Sequence, residues 1–265
     1  MLKDITIGQY IPGNSVIHRL DPRTKILFMI TYIISIFLIK DFRIYIPLGI
    51  FLLWVIFSTK IPPKYVLKGL KPLVFIIVLT VGLNIFMTPG IVIARLGPLT
   101  ITKEGLNLAG FMATRLIFLV MGTSLLTLTT SPKSLTDGLD FLLKPLTKIG
   151  FPSEQLTMMM TIALRFIPTL FEETDKIMKA QTARGADFES GNIFQRAKNL
   201  IPLLVPLFIN AFRRADELAT AMEARCYRVG EGRTQLKALR FGRIDYLALI
   251  FTFLFMASII ASRIL

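Results

Sequence analysis

Long apolar runs joined by short charged links decide what this chain can fold into. Ile26 to Ile39 reads "ILFMITYIISIFLI" between Lys25 and Lys40, and Ile44 to Phe57 reads "IYIPLGIFLLWVIF". A third run spans Leu70 to Met87, a fourth Leu106 to Leu128, and a fifth, "YLALIFTFLFMASIIA", Tyr246 to Ala261. A bilayer crossing takes roughly 20 apolar residues. The first two runs fall short of that, but flanking Lys and Arg side chains snorkel to the interface, and Thr24 and Ser58 extend the ends. The link "KDFR" leaves room only for a tight hairpin. Composition agrees: 53% of residues are hydrophobic, 21 are Phe, and the mean hydropathy is +0.63, too apolar for an ordinary soluble domain. The expectation is an all-α integral membrane protein with about five transmembrane helices and a long helical cytoplasmic insert. Residues 1–130 hold four spans, 131–243 the insert and 244–265 the last span.

Lys and Arg outnumber Asp and Glu by 31 to 17. A basic excess raises nucleic acid as a partner, but positive charge also collects on the cytoplasmic side of membrane helices. The second reading fits the loops, so the expected partner is the lipid bilayer and not nucleic acid. Lys3, Arg19, Arg23 and Lys25 precede the first span, and Lys60, Lys64, Lys68 and Lys71 crowd the second loop. The first and third loops carry only Lys40 and Arg43, then Arg95 and Lys103. This places the N-terminus and the second loop in the cytoplasm and the short C-terminus outside. Gln155–Phe171 and Leu200–Phe212 are apolar too. Arg165 and Pro168 in the first, and Pro202, Pro206 and short length in the second, make them interfacial helices and not spans.

The insert is charged but helical in pattern. Ser131 reads as an N-cap with Pro132 at the first helical position. Ser153 reads as a second cap, with Glu154 favourable to the helix dipole. Helix formers then run to Ala183, with a kink expected at Pro168 and a stop at Gly185. A third helix is expected from Phe194 to about Cys226, bent at its prolines and ended by "RVGEGR". Catalytic chemistry is missing from the pattern. No phosphate-binding loop motif occurs. A single histidine, His18, and a single cysteine, Cys226, exclude a multi-His metal site, a thiolate cluster and an internal disulfide. Glu172 and Glu173 read as a solvated helix face. The chain is expected not to be an enzyme and to need no cofactor.

One short pattern occurs twice, and only in the insert. "DKIMKAQTARG" (Asp175 to Gly185) aligns with "DELATAMEARC" (Asp216 to Cys226). Ala180 and Ala183 share a helix face at i, i+3 spacing, as do Ala221 and Ala224; small residues there let a groove wall come close. Arg184 and Arg225 follow at the helix ends, where a cation favours the dipole and a guanidinium can grip a partner's carboxylate bidentately. The small residue after each Arg keeps that approach open. A-x-x-A-R with a terminal Arg is also ordinary helix capping; two copies on two long helices favour docking into two similar sockets, hence a dimeric or pseudo-dimeric cytoplasmic partner.

These motifs, "ARG" at Ala183–Arg184–Gly185 and "ARC" at Ala224–Arg225–Cys226, with "LDPRTK" (Leu20 to Lys25) ahead of the first span, resemble the transmembrane (T) component of energy-coupling factor transporters, the EcfT/CbiQ-like family. The resemblance covers nearly the whole chain. Cys226 stands where Gly is frequent in the family. The resemblance implies a non-enzymatic scaffold of an ABC-type importer in a bacterial or archaeal cell membrane. Its two motifs would end coupling helices that insert into two ABC-type ATPase subunits, identical or not. It would also grip a membrane-embedded S component that selects the substrate, a vitamin or a transition metal. Met158, Met159, Met160, Phe166, Leu204 and Phe208 are the expected S-component contacts, since flexible thioethers suit a surface that accepts several partners. A stand-alone secondary transporter or channel is the alternative; scarce intramembrane charge counts against it. Arg115 is the exception inside the fourth span, where it needs a protein or water partner such as Asn84. His18 reads as an interfacial residue.

Overall fold

The computed structural model describes residues 10–96, 99–188, 190–227, 239 and 241–264. In chain order the elements are α1 (Val16–Arg19), α2 (Pro22–Leu38), α3 (Tyr45–Thr59), α4 (Pro63–Lys68) and α5 (Val74–Met87). A two-stranded ribbon follows, β1 (Val92–Leu96) and β2 (Leu99–Thr102). Then come α6 (Lys103–Thr129), α7 (Pro132–Leu143), α8 (Ser153–Ala183), α9 (Ile193–Asn199), α10 (Ile201–Ala224) and α11 (Arg243–Ile264). The chain is an all-α membrane protein. Among the described residues, Phe42–Thr59, Pro63–Met87 and Lys103–Thr129 are long and apolar enough to cross a bilayer. The described residues form two compact units: one holds α8 to α10, the other α1 to α7 up to Leu142 together with α11.

In the larger unit α6 is the common neighbour of α2, α3, α4 and α5, while α11 lies along α2. The core gathers Tyr32, Ile36, Leu48, Leu52, Ile56, Leu125, Leu128 and Ile259. Gly122 makes room for it: a methyl there would overlap the Tyr32 ring, whose hydroxyl donates to Phe118 O at 2.9 Å. Outward-facing residues are large and apolar, as lipid contact requires: Trp54, Phe75 and Phe253 are each more than 60% exposed, and α5 has no buried residue.

The "LDPRTK" stretch is a knot. Asp21 caps α2 by accepting from Arg23 N at 2.9 Å, with Pro22 in the first turn. Asp245 of α11 accepts from Asp21 N and from Gly242 N, both at 2.8 Å. Arg23 donates to Leu239 O at 2.8 Å and lays its guanidinium over Phe141 and Phe241. Lys25 donates to Thr129 O at 3.0 Å, at the end of α6. One hexapeptide thus ties the starts of α2 and α11 to the end of α6, with its charges buried but hydrogen-bonded.

Several expectations change. Arg115 does not meet Asn84. It donates to Ile39 O at 3.1 Å, the carbonyl at the C-cap of α2, where a cation complements the helix dipole, and it lies over Phe111; Asn84 instead donates to Thr80 O. His18, read as interfacial, lies in α1, with both ring nitrogens near hydrogen-bonding partners. Its Nδ1 lies 2.6 Å from the Ser15 hydroxyl and its Nε2 3.1 Å from Ile11 O. Burial, foremost, holds its pKa below the usual value. The third loop is partly an antiparallel ribbon with Arg95 opposite Thr100, braced by Glu104 accepting from Ile91 N at 2.7 Å. Thr102 caps α6 through Gly105 N.

Helix signals in the insert fare unevenly. Ser131 does cap α7, accepting from Ser134 N at 3.2 Å. Ser153 is not a cap: the helix begins at it after Pro152, and its hydroxyl is buried without a partner among the described residues. α8 runs unbroken through Pro168. The helix expected from Phe194 is two helices, α9 and α10, separated at Leu200. Pro202 falls in the first turn of α10, where its missing N–H is no loss and its fixed φ suits the start; it starts a helix and does not bend one. "RVGEGR" lies outside the described residues.

Candidate functional site

The two repeated words end α8 and α10 in the same way. Arg184 is the C-cap of α8 and Arg225 the C-cap of α10. Gly185 has φ 89° and Cys226 φ 54°, both left-handed. Gly185 N donates to Thr182 O at 2.9 Å and Ala186 N to Gln181 O at 3.0 Å. Cys226 N donates to Glu223 O at 2.9 Å and Tyr227 N to Met222 O at 3.0 Å. Each end is a Schellman motif, which satisfies two orphan carbonyls and needs a left-handed residue just past the cap. The left-handed turn favours Gly at 185, while Cys226 carries a β-carbon through the same turn.

Both guanidinium groups stand on exposed residues. Ala180, Ala183, Ala221 and Ala224 are exposed as well, so each cationic end carries an uncovered small-residue face. Asp175 is partly exposed and pairs with Lys179 at 2.5 Å, one turn on; Asp216 is exposed. Nothing in the described contacts brings Arg184 to Arg225. The helices meet further back, at Glu173. Its carboxylate accepts from Asn210 at 2.6 Å and lies 3.0 Å from Arg214 Nη2. The solvated Glu172–Glu173 pair is therefore half right: Glu172 is exposed, while Glu173, a helical step of about 100° away, turns towards α10.

The apolar residues named for a membrane partner lie on the same two helices. Met159 is 66% exposed and Phe208 63%; Leu204 and Met160 are also exposed, whereas Met158 and Phe166 are half-buried. Ile201, Val205, Ile209 and Phe212 extend the α10 stripe at helical spacing.

A helical membrane unit followed by two long helices with matching cationic caps defines a membrane protein built around a paired helical element. A family model described as "Cobalt transport protein", CbiQ, matches residues 13–236. A protein of Thermosediminibacter oceani named "Energy-coupling factor transporter transmembrane protein EcfT" is 62% identical over 99% of each chain. Proteins of the same name from Clostridium kluyveri and Bacillus subtilis are 58% and 48% identical. They cover 100% and 90% of this chain and 98% and 91% of their own length. The chain belongs to the CbiQ family of transporter transmembrane components.

Proposed function

We propose that the chain is the non-catalytic scaffold of an energy-coupling factor importer, transmitting ATP hydrolysis by two ABC-type ATPase subunits to a separate substrate-binding membrane protein. The observation that carries this reading is the pair of identical helix ends, each an exposed Arg held by a Schellman turn beside uncovered alanines. Such an end fits a groove whose floor takes small side chains and whose rim supplies a carboxylate. The names of the relatives, transmembrane proteins of energy-coupling factor transporters, support it. The N-terminus and residues 131–243 face the cytoplasm and the C-terminus faces outward, following the loop charges. Closure of the ATPases on ATP draws the caps along with it. The stiff helices carry that motion to the apolar stripe around Leu204 and Phe208, with Met158 to Met160 and Phe166, where the substrate-binding partner rests. Substrate choice, vitamin or transition metal, belongs to that partner.

Charge-assisted bonds of the kind these caps offer contribute about 1.5–3 kcal/mol each. Arg184→Ala with Arg225→Ala is expected to abolish ATPase capture and coupled uptake while the chain still inserts and melts as before. Co-purification and vesicle uptake measure this. Uptake at the normal rate with ATPases bound to the double variant rejects the docking role.

A further inference from the structure

Glu173 and Arg214 are separated by the same 41 positions that separate Arg184 from Arg225 and Asp175 from Asp216. They are equivalent positions in two copies of one helix pattern, and they touch each other at 3.0 Å. Two like rods that meet at equivalent positions are related locally by a two-fold axis through the meeting point, the geometry of an isologous contact. A side chain on such an axis faces its own counterpart, so identical charges there would repel. The pattern repeats residue for residue at the Asp, the two Ala and the Arg, and where the rods touch the charges are opposite, Glu against Arg, as they are at Glu172 against Arg213 and Lys176 against Glu217. The side chains are 16% and 35% exposed, and Asn210 adds a hydrogen bond to the carboxylate. Arg184 lies eleven residues beyond Glu173, and Arg225 eleven beyond Arg214. Neither stretch contains Pro or Gly, so the two arms are straight and equal, about 16 Å each at 1.5 Å per residue.

We propose that Glu173 and Arg214 are a positioning pair that pins the crossing of α8 and α10 and thereby sets the span between the two Arg caps; its use in transport rests on the docking role given to those caps. Nitroxide labels on Thr182→Cys and Glu223→Cys, in a Cys226→Gly background, report the distance between the ends in the full chain in lipid nanodiscs. One narrow distance distribution is expected for the native pair. Glu173→Arg and Arg214→Glu each place like charges at the crossing, and should broaden and shift it. The swap carrying both changes should narrow it again, and coupled uptake should fall roughly tenfold in each single variant and recover in the swap. Glu173→Gln, which keeps the shape and removes the charge, gives the same broadening where a reversal blocks folding. Unchanged distributions in the single variants, or a swap that does not restore the narrow one, overturn the proposal. A swap that restores the distance while the caps capture no ATPase keeps the crossing and removes the docking role.

Discussion

At Cys226 the chain puts a β-carbon where the helix end asks for none. A left-handed backbone costs an ordinary residue roughly 1–2 kcal/mol and glycine almost nothing. Cys226→Gly is therefore expected to stabilise the full chain by about 0.5–1 kcal/mol, and Gly185→Ala to destabilise it by about 1 kcal/mol, read as opposite shifts in thermal melting in detergent. Equal behaviour of the two substitutions would mean that the turns are not equivalent. The motif itself was legible in the sequence because it occurs twice. The stop at Gly185 was legible too, from the preference of a left-handed helix end for Gly, but the same turn at Cys226 was not, since Cys carries no such preference. The partner of Arg115 is illegible for a related reason. Its acceptor is the carbonyl that ends α2, which every residue possesses, so the interhelical bond was legible but its acceptor was not, Asn84 being only one side-chain example.

Among the elements, the long apolar runs gave helices where expected, and the departures are local. Leu200 divides what one amphipathic pattern reads as a single helix, because the pattern continues across a break that does not change its phase visibly. The ribbon strands Val92–Leu96 and Leu99–Thr102 are short, five and four residues, too short for alternation to mark them. α6 shows what a central helix needs. Gly122 lets the Tyr32 ring lie against its backbone. Gly122→Leu is expected to lower stability by about 1–3 kcal/mol through overpacking, measured by thermal melting. Combining it with Tyr32→Ala should recover part of that loss, since the added side chain then occupies the vacated ring space. A loss unchanged in the combination would place the damage elsewhere.

For the whole molecule, the membrane class and the family were legible because hydropathy acts over twenty residues at a time and the paired motif is specific. The crossing at Glu173 was not, since it depends on which of two adjacent carboxylates faces a helix forty residues away. The capped end of α10 also carries the chain's one thiol, and that thiol is exposed. Cys226 is therefore a native chemical reporter at the proposed point of contact. A membrane-impermeant maleimide should alkylate it in inverted vesicles and leave it untouched in right-side-out cells. Adding the ATPase pair should slow the alkylation, and stripping the ATPases away should restore it. Alkylation from the outer face would reverse the proposed orientation, and a rate indifferent to the ATPases would leave that helix end undocked.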